Sequence, residues 1–301
     1  MPAMSQAMSI NLRDSLPGPI AYVLGGGGSY GASQAGQLRA LARTDLRPDF
    51  VVGTSVGSLN GTILAESPET AGDRLSAFWS LVDRDMIFGS PRTMMVNLAA
   101  LRPALADPKP LRSLIERSTD SREFSDLQLP LTAVAADVNT GHHVELNSGD
   151  LVSALMASAA IPGIFPSVIR EGRKLIDGGV LANVPIGIAA EQGAQTIVVL
   201  DCGFNLFAPR TDPTLPHALL RATAMMAAAQ VRRDLALYTD RTILYVPAKW
   251  PAASRPYDFS KSQVNNSESY SLALAWLARL EVDGAGLYGS PPDVTRANVV
   301  S

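Results

Sequence analysis

The chain has 301 residues, 47% hydrophobic and 18% charged, with 24 Gly and 21 Pro, a composition that excludes a disordered chain, a collagen-like repeat and a disulfide scaffold. Its 25 Lys and Arg against 28 Asp and Glu leave a net charge of −3, which gives no footprint for nucleic acid. The lone cysteine, Cys202, cannot form an internal disulfide, and with three histidines it leaves little material for a zinc site.

Residues 1–19 carry one basic residue, Arg13, and no apolar run resembling a signal-peptide core, so they are expected to form a flexible arm on a cytoplasmic protein. Ile20 to Leu24 reads as a strand that ends in glycines, and Ala32 to Ala42 follows as a helix with Ala35, Leu38 and Leu41 on one stripe. The same grammar recurs in Phe50-Val51-Val52, then Gly53 to Gly57, then a helix from Leu59 to Ala65. Ser67-Pro68 is expected to start a helix carrying Leu75, Phe78, Trp79 and Val82. Ser90 to Pro110 mixes Met94, Met95, Val96 and Leu98 with prolines and few acidic groups, and reads as core packing, with a lid or acyl channel as the alternative.

Leu131 to Val138 is a third strand, Asn139-Thr140-Gly141 a turn, and Asp150 a cap for a helix from Leu151 to Ala159. Val168-Ile169 and Leu175-Ile176 form a hairpin through Glu171-Gly172, and Thr196 to Asp201 is a fourth buried strand. A long Ala/Met helix from about Pro216 to Tyr238, a strand Ile243 to Val246 and a helix from about Ser267 to Leu280 complete the pattern. Strands alternating with helices predict an α/β fold on a mostly parallel sheet. No apolar run approaches the ~20 residues that span a bilayer, so any membrane contact is expected to be peripheral.

Three motifs could carry chemistry. Gly25 to Gly31 lies between strand and helix, where backbone N–H groups can face an anion. Gly26, Gly28 and Gly31 satisfy the dinucleotide spacing, but Asp49 precedes the second strand instead of ending it, which counts against that use. The other use is an oxyanion hole. Gly53-Thr54-Ser55-Val56-Gly57 is a GxSxG match on a strand-to-helix turn, the context a nucleophile elbow needs. Ser29 also fits that pattern, yet making it the nucleophile would leave the oxyanion hole unassigned, so Ser55 is preferred. Asp177-Gly178-Gly179 alone would read as a turn, but beside an elbow its carboxylate could serve as general base.

In this order the motifs resemble those of the patatin-like phospholipase family, together with Ala157 to Pro166, over roughly Ile20 to Asp201. The resemblance implies a three-layer α/β/α fold and a Ser55–Asp177 dyad without histidine. It also implies an oxyanion hole from Gly26, Gly27 and Gly28, with Gly53 and Gly57 flanking the nucleophile and Gly31, Gly178 and Gly179 supporting the motifs. The implied partner is an acyl lipid, with no metal or organic cofactor; the headgroup, chain length and oligomeric state stay open. The family usually carries Arg or Lys where Tyr30 stands, which puts an anionic-headgroup contact there in doubt.

The expected layout is an arm (1–19), one hydrolase domain (20–285, motif core 20–201, helical part 216–281) and a mobile tail (286–301). Two alternatives remain for the site: a nucleotide-binding protein using the glycine loop, and a Ser-His-Asp esterase drawing on His217, with His142 and His143 beside a turn. A non-catalytic lipid-binding relative is a third. Cys202 reads as a core residue and Asp201 as a turn or loop-orienting group.

Overall fold

In the computed structural model, which describes residues 11–203, 215–249 and 256–292, the apolar runs lie side by side in one nine-stranded sheet. The strands are β1 (Ile20–Leu24), β2 (Phe50–Thr54), β3 (Leu131–Asp137), β4 (His143–Leu146), β5 (Val168–Arg170), β6 (Arg173–Asp177), β7 (Thr196–Leu200), β8 (Thr242–Tyr245) and β9 (Gly286–Gly289). The helices are α1 (Ala32–Leu41), α2 (Val56–Glu66), α3 (Ala71–Leu81), α4 (Arg84–Phe88), α5 (Pro91–Ala99), α6 (Pro108–Ser118), α7 (Leu151–Ser158), α8 (Gly179–Ala182), α9 (Ile186–Glu191), α10 (Leu215–Leu237) and α11 (Ser262–Leu277).

Strands β3, β2, β1, β7, β8 and β9 run parallel in that spatial order, and β4, β5 and β6 make the sheet mixed at the β3 end. Parallel strands need cover on both faces, and alternation along each strand supplies both. Ile20, Tyr22 and Leu24 join one apolar cluster with residues of α1, α3, α6, α7 and α11, while Ala21 and Val23 join a second with α9 and Val231 of α10. The result is the helix-sheet-helix layering expected of the sequence.

Four boundaries differ from expectation, each for a local reason. Ser67 closes α2 instead of capping α3, which begins at Ala71 after a turn in which the Thr70 N–H donates to Ser67 O. Residues from 11 onward are not a free arm: Leu12 and Leu16 are buried, and the Leu12 N–H donates to Asp45 Oδ1 at 2.6 Å. The tail expected from 286 begins instead with β9, which pairs with β8 from Thr242↔Gly286 to Tyr245↔Gly289; residues 293–301 lie outside the described part, as do 1–10. Within Ser90 to Pro110 only Ala106 packs into the core; α5 has no buried residue.

One junction positions the site. β2 pairs with β3 through Thr54↔Val134, and β6, running the other way, pairs with the next residue of β3 through Ala135↔Asp177. β4 occupies the other edge of β3, from Ala133↔Leu146 to Ala136↔His143. Strands β2 and β6 therefore lie end to end along one edge of β3 with their C-terminal residues meeting. The chain after Thr54 has to leave the sheet there.

Candidate active site

Ser55 makes that exit with φ 54° and ψ −125°, a conformation that costs a non-glycine residue about 1–3 kcal/mol. Its rival Ser29 is buried and is not among the non-glycine residues with positive φ. The tightness of the turn explains Gly57, where a Cβ would sit 2.1 Å from Leu24 O. Gly53 is the penultimate residue of β2.

Ser158, on α7, repairs the gap in the ladder left where β2 and β6 meet. Its hydroxyl accepts from the Ser55 N–H at 2.9 Å and donates to Val134 O at 2.7 Å, entirely buried. Ser158→Ala leaves both backbone groups dry and unpaired, at about 1–3 kcal/mol each. Denaturant unfolding is expected to show a loss of about 2–6 kcal/mol, with turnover reduced because the elbow is no longer held.

Asp177, the last residue of β6, is buried, with the Ser55 hydroxyl near enough to its carboxyl to favour the charged form. The Gly179 N–H donates to Asp177 Oδ1 at 2.7 Å, and the Asp177 N–H to Ala160 O at 3.0 Å. Burial raises the carboxyl pKa from an ordinary 3.8 to about 6, against the pull of the Ser55 hydroxyl and the Gly179 N–H. Gly178 is the N-cap of the short α8.

The glycine loop follows β1. The Gly26 N–H donates to Asn183 O at 2.9 Å and the Ser29 N–H to Pro256 O at 2.9 Å, whereas the N–H groups of Gly27 and Gly28 between them have no acceptor among the described residues. Gly28 has φ +60° and no room for a Cβ, which would stand 2.3 Å from Pro256 O. Beneath the loop runs a closed polar chain. Trp79 Nε1 donates to Asn60 Oδ1, Asn60 Nδ2 to Gln34 Oε1 and Gly31 O, and Gln34 Nε2 to Gly25 O and Leu200 O. Asn183 ties loop to base turn: it lies six residues after Asp177, and its Nδ2 donates to Gly26 O at 3.3 Å.

Gly26 thus packs between Ser55 and Asn183, and Gly179 against Asp177 and Asn183, with Gly31 packed on Val56 and Gly53 on Gly57. Ser158, which lies in the Ala157 to Pro166 segment, Asn183 and the Gln34–Asn60–Trp79 chain are partners to which the motifs assign no role. For Ser158, Gln34 and Asn60 the sequence signal is a polar residue in a helix that is otherwise buried. Tyr30 is buried in the apolar cluster, not presented to a ligand. Asp201 is buried and accepts from Tyr245 Oη and the Gly203 N–H, while Cys202 Sγ donates to Gly25 O at 3.3 Å. Burial pushes that thiol well above its ordinary value, as expected of an inert core cysteine. His142 and His143 lie beyond the edge of β3 taken by β4, opposite β6, and the His217 side chain lies outside the described residues. Among the described residues no cluster of three His, Cys, Asp or Glu could hold a metal, and no helix is long and apolar enough to cross a membrane.

A mostly parallel α/β sheet with a serine on a strained strand-to-helix elbow, set against a buried aspartate, defines the class. Within it, this chain belongs to the patatin-like phospholipase family, whose model matches residues 22–190. Over 188 residues the chain is 30% identical to patatin-like phospholipase domain-containing protein 7 of Mus musculus, covering 61% of this chain and 14% of that protein. It is 26% identical over 212 residues to lysophospholipase NTE1 of Mycosarcoma maydis, covering 66% of this chain and 10% of that protein. The chain therefore spans a small fraction of these relatives. Among solved structures, VipD from Legionella pneumophila is similar at a TM-score of 0.47 and 13% identity, covering 87% of this chain and 67% of that one.

Proposed function

We propose that the chain is a lipid acyl hydrolase working through a Ser55–Asp177 dyad, and the contact between a strained serine and a buried carboxylate carries the reading. Ser55 Oγ gives its proton to Asp177 and attacks the ester carbonyl carbon. The carbonyl oxygen becomes an oxyanion, which accepts hydrogen bonds from the N–H groups of Gly27 and Gly28 at the start of a helical segment. Gly26 keeps its N–H on Asn183 and shapes the loop instead of donating. The C–O bond then breaks, Asp177 returns the proton to the departing alcohol, and an acyl-Ser55 ester remains. Asp177 next takes a proton from water, whose oxygen attacks the acyl carbon; the C–Oγ bond breaks, Ser55 Oγ takes the proton back from Asp177, and the fatty acid is released.

A carboxylate is a weak base toward a hydroxyl. Its raised pKa of about 6 strengthens it while leaving it ionised at neutral pH. Since the working form is the anion, kcat/KM is expected to be flat above pH 7 and to fall about tenfold per unit well below pH 6. A pH profile on a soluble p-nitrophenyl ester checks this.

A panel of p-nitrophenyl esters of rising chain length, run beside phospholipids and lysophospholipids, tests the function. Ester turnover is expected; none on any member would overturn the reading. Against the nucleotide alternative stands Asp49, which accepts from the Ile20 N–H at the start of β1, the end of the sheet away from the glycine loop.

A further inference from the structure

α5 buries no residue: Met94 and Asn97 on its inner face are only half-buried, against Arg84 and Leu105 O. Its outward residues Met95, Val96 and Leu98 are 71%, 63% and 62% exposed, and Leu101 just beyond it is 89% exposed. Soluble proteins scatter single apolar residues over their surfaces; a run of this kind marks a contact site.

The turn after α5 adds a second observation. The Leu101 N–H donates to Leu98 O and the Arg102 N–H to Asn97 O, the hydrogen-bond pair of a Schellman cap. The residue at its left-handed position is ordinarily glycine, yet here Leu101 takes φ 49° and projects outward. A leucine kept in a strained conformation to stand in solvent contributes nothing to the core.

Charge selects the occupant. From Met86 to Ala106 there is no acidic residue, while Arg92 and Arg102 are exposed and make no ion pair among the described residues. The nearest carboxylates on the flanking elements are engaged: Asp83 and Asp107 cap α4 and α6, and Asp85 pairs with Arg84. The surface also adjoins the site. The Leu105 and Ala106 N–H groups donate to Gly163 O and Ile164 O, Phe88 stacks on Phe165, and the same loop holds the Asp177 N–H through Ala160 O.

We propose that α5 and the Leu101 turn form a docking surface for an anionic lipid bilayer, with Met95, Val96, Leu98 and Leu101 entering the acyl boundary and Arg92 and Arg102 meeting the headgroups. The proposal deepens the lipid-hydrolase reading, on which it rests for its purpose, by naming how a substrate in a membrane reaches Ser55.

Flotation with vesicles tests it, in the Ser55→Ala background so that no lipid is consumed. Binding is expected on phosphatidylcholine vesicles containing phosphatidylglycerol, and to be weaker on phosphatidylcholine alone. Leu101→Gly should weaken it about tenfold and Arg102→Gln about fivefold on the anionic vesicles. Leu101→Gly relieves the backbone, so its melting temperature should not fall and misfolding cannot produce the loss. With Ser55 restored, Leu101→Gly should hydrolyse a soluble short ester at the parent rate. Three results would overturn the surface: no vesicle binding by the parent, equal binding by Leu101→Gly, or a solution dimer that Leu101→Gly dissociates without any vesicle binding. Inactivity in the ester panel would overturn the hydrolase reading alone, because flotation does not depend on turnover.

Discussion

Asp177→Asn is expected to make the protein more stable at neutral pH and nearly inactive. Burial raises the folded-state pKa of Asp177 from 3.8 to about 6, so between those values the folded chain binds a proton that the unfolded chain has released. The stability linked to that proton is fully present below pH 3.8 and is lost as pH rises through 6. Two units correspond to about 3 kcal/mol carried as a penalty above pH 6. Asparagine is never ionised and can still accept from the Gly179 N–H, so it removes the penalty. Unfolding at pH 7.5 should show the variant ahead by up to about 3 kcal/mol, roughly half of that at pH 5, and little at pH 4. Turnover should drop by about 10³-fold or more because the base is gone. A loss of stability at pH 7.5 would show that the carboxylate is a structural anchor.

The second large effect is at the elbow. Ser55→Ala should lower ester turnover by about 10⁴-fold or more, as loss of a covalent nucleophile does. Ser55→Gly should be equally inactive but should unfold later than Ser55→Ala by about 1–2 kcal/mol, because glycine adopts the φ of 54° without the strain. Paired denaturation curves of the two variants separate strain from chemistry. Equal stability would mean the turn stores no strain.

Those positions were legible in the sequence because backbone geometry restricts the choice of residue there. Gly57 must approach Leu24 O and Gly28 must take a positive φ beneath Pro256 O, and such demands leave visible glycines. Strands β1, β2, β3 and β7 were legible for a similar reason, as parallel strands covered on both faces read as short continuous apolar runs, whereas the antiparallel edge strand β4 was not.

What the sequence hid depends on register. Ser158 matters because β2 and β6 meet at Val134, and nothing near residue 158 announces that junction. Asn183 is one Asn in a turn until the fold sets it beneath Gly26. β9 is Gly-Leu-Tyr-Gly, too short and glycine-rich to stand out from a tail, and it becomes a strand because β8 offers it an edge. For α5 the apolar content was plain but its direction was not. Composition counts Met95, Val96 and Leu98 without saying whether they face the core, and here they face out.

In the proposed mechanism Ser55 is the nucleophile and Asp177 its base. Intact-mass analysis after treatment with a fluorophosphonate tests it most directly. One adduct is expected, mapped to Ser55, absent in Ser55→Ala, and forming far more slowly in Asp177→Asn. An adduct on Ser29, or labelling at the parent rate in Asp177→Asn, would contradict it.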